Sequence, residues 1–272
     1  MRGITVEFLS PTTLDEAYRA LAPEDARCLA GGQSLVAMMN LGLISPSRLV
    51  SLRRVDALRG IARQPDGSLR IGAMTTHEEL SNIERDDAGS TLLAKAARVV
   101  AYPAVRAHGT LGGAVALADP AADYPAVLVA AEAGIELGSA RGTRIVAAQD
   151  FFRGMFETAL EKCEIVTAVR LPPAAPDARA AYEKLSLLNG DFAIVSVAAI
   201  VGRTAQIAVG ACAPGPLFMA GIELSDNALR AAGRKLAAES DPPSDQRASA
   251  GYRRKVLPHL LLRTVRAAMA SS

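Results

Sequence analysis

Two double-glycine segments are the part of this chain whose residue types suit a chemical task. The first reads Ala30-Gly31-Gly32-Gln33-Ser34-Leu35, and the second reads Gly109-Thr110-Leu111-Gly112-Gly113 about eighty residues further on. Glycine admits positive φ and lets a ligand approach the bare backbone. Each segment therefore offers N–H groups to an anion. Two such loops facing each other can hold a diphosphate from both sides, which suits a dinucleotide such as FAD.

The surrounding elements must position these loops. Thr13 and Glu16 have capping-box spacing before a short helical run that Pro23 ends. Residues 27–30 read as a short buried strand running straight into Gly31. Ser34 is placed to cap a helix from Leu35 to about Asn40. The first loop is then a strand–loop–helix junction, where orphan N–H groups and the positive end of the helix dipole both favour phosphate. A helix over 90–100 and a tight region from Tyr102-Pro103 lead into the second loop. Beyond it, Asp119 and Asp123 compete as the cap of one helix. Pro120 suits the first helical position after Asp119, whereas Pro125 favours the later start. Gly134 ends that helix under either reading.

Further along, strands are expected at 49–52, 69–73 and 165–171. Hairpins are expected at 135–137 with 144–146, and at 192–201 with 205–212 around Gly202-Arg203-Thr204. Thr76 and Glu79 form a second capping box, which makes His77 a surface residue of a helix ending near Arg85. Asp150 is placed to cap a helix carrying Phe151 and Phe152. Residues 172–177, rich in Pro and Ala, are the best linker. Residues 246–269 read as a basic helix bent at Pro258, with His259 on its surface.

Composition narrows the function classes. The 272 residues are half apolar, enough for two or three compact units. A formal net charge of +2, with Lys and Arg spread along the chain, gives a nucleic-acid surface little support. No apolar run approaches the roughly eighteen residues of a membrane span, and the opening MRGITVEFLSPTT lacks a leader's apolar core. Cys28, Cys163 and Cys212 are odd in number and far apart. They suit buried positions in a cytoplasmic protein rather than a disulfide framework or a four-cysteine iron–sulfur site. Three scattered histidines suit no metal site.

Five segments in fixed order carry a family resemblance: AGGQSL at 30–35, IGAMTTHEEL at 71–80, VRAHGTLGGAVALADPAADYPA at 105–126, GDFAIVS at 190–196 and SAGYRRKV at 249–256. Together they resemble the FAD-binding medium subunits of molybdenum hydroxylases, a group that includes those of aerobic carbon monoxide dehydrogenase and the flavin domain of xanthine dehydrogenase. The resemblance spans nearly the whole chain. It implies an α+β architecture: two α/β subdomains of the PCMH-type (vanillyl-alcohol-oxidase-like) FAD-binding fold, at residues 1–55 and 56–177. A C-terminal domain with a small antiparallel sheet and helices would occupy 178–272.

The resemblance also implies residue roles. Leu29, Ala30, Gly31, Gly32, Gln33, Ser34 and Leu35 match the first diphosphate loop, and Gly109, Thr110, Leu111, Gly112, Gly113 and Ala114 the second. Asp123 matches an acidic residue that bonds polar groups of the flavin nucleotide. Val166 and Lys184 match positions lining the flavin. No catalytic nucleophile or metal ligand is expected on this chain. Partner subunits are implied: a small one with two [2Fe–2S] clusters and a large one with the molybdopterin cofactor, assembled as a dimer of heterotrimers in the cytoplasm. Gln33 stands where many relatives have histidine, Ala107-His108 where Asn-Arg is frequent, and Phe192 where the carbon monoxide enzyme has tyrosine. Leu187-Leu188-Asn189 lacks the basic residues often found there. Two rivals remain: an autonomous FAD oxidoreductase and a non-catalytic nucleotide-binding subunit. On the two-loop reading, Gly32→Val or Gly113→Val abolishes FAD retention and leaves the fold largely intact. Stoichiometric FAD in the absorption spectrum of either purified variant would overturn it.

Overall fold

Short apolar runs separated by capped helices build three main sheets of different kinds. The computed structural model describes residues 6–271. The first five residues, part of the stretch read above for a leader, lie outside them. The first unit runs β1 (Glu7–Leu9), α1 (Leu14–Ala20), β2 (Arg27–Leu29), α2 (Leu35–Asn40) and β3 (Arg48–Ser51). Its strands pair in parallel in the order β1-β3-β2, with helices as the crossovers that parallel pairing needs. The Thr13–Glu16 capping box closes the start of α1. Ser34 precedes α2 as expected, but its side chain makes no capping bond.

The second unit begins with a 3-10 turn at Asp56–Leu58, β4 (Ile61–Arg63) and β5 (Leu69–Gly72). Five helices follow: α3 (His77–Ser81), α4 (Ala88–Arg98), α5 (Pro103–Arg106), α6 (Leu111–Leu117) and α7 (Asp123–Ala130). Then come β6 (Gly134–Ser139), β7 (Gly142–Ala147), α8 (Ala148–Phe151), the small hairpin β8 (Phe152–Gly154) with β9 (Glu157–Thr158), and β10 (Ile165–Leu171). The main sheet is antiparallel, in the order β4-β5-β10-β6-β7.

Three local expectations change here. Helix α4 starts two residues ahead of the expected position, because Asp87 and Ser90 form a capping box there. Neither candidate caps α7: its N-cap is Ala122, while the Asp119 carboxylate accepts from Ala121 N–H at 2.9 Å in a local turn. Asp150 lies inside α8, and Phe152 turns into a strand.

The third unit is a meander of β11 (Arg179–Leu185), β12 (Val195–Val201), β13 (Ala205–Gly210) and β14 (Leu217–Ile222), followed by α9 (Asp226–Glu239) and α10 (Ala250–Ala270). Residues 192–194, expected in β12, stay outside it. Ala193 N–H bonds Ala121 O and Ile194 N–H bonds Leu185 O instead. Both faces of the sheet are covered. Val195, Val197 and Ala199 join a core with α9 and α10, while Ala180, Ala198 and Ala208 join the core of the other units. The two-residue period of strands places these sets on opposite faces. The alanines let α4 and α7 approach closely. Arg253, buried in α10, donates to Ile194 O at 2.6 Å, to Ala211 O at 3.2 Å and to Asp245 at 2.8 Å. It thereby ties the two strands together at the open end of the β12–β13 hairpin, opposite the Gly202-Arg203-Thr204 turn.

Glu136 on β6 is a second polar anchor. Arg70 and Arg170 stand directly opposite each other on β5 and β10, a repulsive arrangement. Glu136 reaches both, at 2.8 Å to each guanidinium, and accepts from Thr167 Oγ1 at 3.0 Å. Burial alone pushes its carboxyl up. The bonds from Arg70, Arg170 and Thr167 outweigh that and hold it down at about 2. Its contribution is therefore present above the ordinary glutamate range and fades as pH falls through that range toward 2. Glu136→Gln is expected to melt earlier than the parent at pH 7. The gap should narrow as pH drops from about 4.5, and a gap that is constant with pH in thermal melts would contradict this assignment.

Candidate functional site

The two glycine loops meet. A Cβ on Gly31 would overlap the carbonyl oxygen of His108 and stand 2.8 Å from Gly109 Cα. Ala30 Cβ lies 3.6 Å from where a Gly113 Cβ would sit. Between and beside the loops runs a cleft of about 460 Å³, within the usual range for small-molecule and cofactor sites. Ala30, Gly31, Gly32, Gln33, Ser34, Leu35, Gly109, Thr110, Gly112, Gly113, Ala114 and Val166 lie on its wall. Leu29 is partly buried in β2, and Leu111 is wholly buried in the core behind the second loop.

The loops differ in what they offer. In the first, the N–H groups of residues 31–34 donate to nothing among the described residues. Gly32 sits at φ +74°, and Gln33 folds back to donate Nε2–H to Gly31 O at 3.1 Å. Successive free N–H groups of this kind make an anion-binding concavity.

In the second loop most backbone donors are spent, which corrects the expectation that both loops present them alike. Thr110 pairs with Thr76 in an antiparallel bridge. Gly109 N–H bonds Val105 O at 2.7 Å, Leu111 N–H bonds Thr75 O at 2.9 Å and Gly112 N–H bonds Ala73 O at 2.8 Å. Gly113 N–H goes to Thr110 Oγ1 at 3.2 Å as the cap of α6. A Cβ on Gly112 would stand 2.5 Å from Ala73 Cβ. Glycine is needed there for packing as much as for a ligand.

Asp123 and Lys184 are brought to each other, not to the cleft wall. Lys184 Nζ lies 2.9 Å from Asp123 Oδ1 and donates to Val99 O at 2.9 Å, and Tyr182 OH donates to Asp123 at 2.6 Å. Both charged side chains are buried. Burial pushes the Asp123 carboxyl above its usual range, against the pull of Lys184 and Tyr182. Opposite charges removed from water in this way must satisfy each other. That explains why the reading of both as direct cofactor ligands finds no support in the arrangement.

His77 reverses its expectation. The capping box forms as read, yet the side chain is 5% exposed. Its backbone N–H donates to Gly109 O at 3.0 Å, and Nδ1 lies 2.9 Å from Tyr124 OH. Its ring is on the cleft wall against Gly109, where a Cβ would stand 2.6 Å from Nε2. Burial, then the nearby Arg106 charge, lowers its pKa to about 4. Tyr124, 47 residues away, was not detectable as its partner. Phe156, also on the wall, holds φ +57° through a bond from its N–H to Ala118 O at 3.2 Å. His108 is exposed beside the loop, and Phe192, off the cleft, lies under Arg247 at 5.4 Å.

The chain is similar to known proteins along nearly its whole length. The family described as "FAD binding domain in molybdopterin dehydrogenase" matches residues 4–174, and "CO dehydrogenase flavoprotein C-terminal domain" matches residues 180–268. The carbon monoxide dehydrogenase medium chain of Hydrogenophaga pseudoflava is 34% identical, covering 97% of each chain. The glyceraldehyde dehydrogenase medium chain of Sulfolobus acidocaldarius is 33% identical, covering 94% of this chain and 95% of that one. A solved structure of carbon monoxide dehydrogenase from Hydrogenophaga pseudoflava superposes with a TM-score of 0.92 at 35% identity, covering 97% of each chain.

Because Gly31 sets the spacing of the loops, Gly31→Ala is expected to lower FAD affinity by on the order of 100-fold while cooperative melting persists. Gly202→Ala, with open space around the added methyl, serves as the neutral control. Equal FAD affinity of the Gly31 variant and the control in a binding titration would show that the loop contact does not set the site.

Proposed function

The chain belongs to the FAD-binding medium subunits of the molybdenum hydroxylases, and from that premise we propose that it holds FAD between the iron–sulfur clusters of one partner and an external electron acceptor. It is an oxidoreductase subunit with an FAD-binding domain. One observation carries the proposal: residues 31–34, whose N–H groups donate to nothing among the described residues, line the cleft where the second loop closes on it. Those four donors suit a diphosphate and need no lysine. A Cβ at Gly31 would disturb this arrangement, and the positive φ of Gly32 would strain any other residue.

In this reading, residues 31–34 bind the diphosphate, with Thr110 completing the cradle from the opposite loop. Val166, on the cleft wall, covers an apolar part of the cofactor. FAD supplies the redox chemistry when bound, and the protein supplies binding, orientation and electrostatics. The buried Asp123–Lys184 pair holds β11 against α7 and so fixes the distance from the third unit to the cleft.

The functional division we propose is 1–55 and 56–177 for cofactor binding and 178–272 as the flavoprotein C-terminal domain. It is supported by a separate sheet in each stretch. The partners are a small subunit with two [2Fe–2S] clusters and a large subunit with the molybdopterin cofactor, on which substrate is hydroxylated, in a cytoplasmic dimer of heterotrimers. The medium-chain names of relatives support a multi-subunit complex. Among the described residues, no helix is long and apolar enough to cross a membrane.

Gentle affinity purification from the native cell, followed by an absorption spectrum and a denaturing gel, tests the reading. Flavin bands with iron–sulfur absorption and two further subunits are expected. Flavin on a lone chain that turns over substrate would replace the proposal with an autonomous oxidoreductase. A colourless chain that takes up no added FAD would overturn it.

A further inference from the structure

We propose that His77 is a direct ligand of the phosphate groups at the second loop: Tyr124 holds its ring in the Nε2–H tautomer, and Nε2–H donates to a phosphate oxygen. The proposal rests on the FAD reading above and adds a side-chain donor to it.

The tautomer follows from the hydrogen-bond inventory. Tyr124 is 1% exposed, and its hydroxyl has a single partner among the described residues, His77 Nδ1 at 2.9 Å. A buried phenol proton needs an acceptor. Were Nδ1 to carry the proton, it would donate to the phenol oxygen, and the phenol's own proton would be left without an acceptor among the described residues. So Tyr124 donates, Nδ1 accepts with its bare lone pair, and the ring proton resides on Nε2. The ring stays neutral because it is buried beside the Arg106 guanidinium, which in turn pairs with Glu78 at 3.3 Å.

Nε2–H is then a donor without a partner among the described residues, on a side chain that is 95% removed from solvent and forms part of the cleft wall. Its surroundings supply the reason for a donor at this point. The N–H groups of Gly109, Leu111, Gly112 and Gly113 are all committed inside the protein. The first loop has four free donors and the second has little beyond Thr110, so an anion held from both sides needs a side chain on the second side. His77 is fixed there in two ways: by the Thr76–Thr110 bridge, to which its backbone bond to Gly109 O belongs, and by Tyr124. The ring lies against Gly109 so closely that a methyl there would collide with it. Gly109 therefore leaves room for the imidazole as well as for the ligand.

The test uses the full chain labelled with ¹⁵N-histidine, with long-range proton–nitrogen spectra recorded before and after FAD is added. The His77 signals are assigned by their loss in His77→Gln. We expect an Nε2–H tautomer without ligand, and a shift at Nε2 larger than at Nδ1 when FAD binds. In titrations, His77→Leu should bind FAD at least tenfold more weakly, whereas His77→Gln, whose amide can donate from near the Nε2 position, should recover most of that loss. Tyr124→Phe should give a mixture of tautomers. An Nδ1–H tautomer in the parent chain overturns the proposal, as does full-affinity FAD binding with Nε2 unmoved. A folded chain that binds no FAD overturns the cofactor reading itself, and with it this inference.

Discussion

The rest of the site depends on one steric fact: the backbones of two loops approach until no side chain fits between them. Gly31 lies against His108 and Gly109 so closely that a single methyl would overlap a carbonyl oxygen. That contact turns a parallel three-stranded unit and an antiparallel five-stranded unit into one cleft. Neither sheet has a binding surface at this place by itself. The first contributes a strand end whose N–H groups have nothing to bond. The second contributes a wall held rigid by its own backbone pairing. Rigidity on one side and unsatisfied donors on the other form a pre-organised anion site, in which few groups must be reordered when a ligand arrives.

The asymmetry of the loops has a physical origin. The first loop runs into a six-residue helix with no side-chain cap, and the N–H groups of residues 31–34 ahead of it donate to nothing among the described residues. The second loop is knitted to residues 73–77 and capped by Thr110, and its glycines serve close packing. Double glycine in a sequence thus covers two distinct demands: exposure of backbone and compression of backbone. Counting glycines cannot separate them. Asking where each N–H goes can.

That distinction marks how far the sequence could be read. The capping boxes at Thr13 and Thr76, the hairpin around Gly202-Arg203-Thr204 and the strand into Gly31 depend on neighbours a few residues apart, and the structure contains them. The overall architecture and the family were legible because five ordered segments span the chain. What escaped was decided by tertiary contact. His77 was read from its capping box as a surface residue, and no local signal shows that Gly109 and Tyr124 close over it. Asp119 and Asp123 both resemble helix caps, yet one makes a local turn and the other turns away to a lysine 61 residues later. A carboxylate next to a helix start has a cheap local partner, but a buried ammonium in reach is a stronger one.

Helix α7 is where these long-range choices converge. All eight of its residues are buried, so it has no solvent face to slide along. Adjacent residues at its start point to opposite tasks. Asp123 is tied to Tyr182 and Lys184 on β11, while Tyr124 is tied to His77 beneath the second loop. The alanine face of the third sheet packs on the same helix. The C-terminal unit therefore braces the cleft through two neighbouring side chains without lining it. This arrangement gives the SAGYRRKV and GDFAIVS segments a physical role. Arg253 secures Ile194 and Ala211 side by side at the open end of the β12–β13 hairpin, that pair seats the alanine face on α7, and α7 holds the histidine against Gly109. A sheet outside the cleft wall still helps to set the geometry of the site, because each link between them is buried and has few alternative partners.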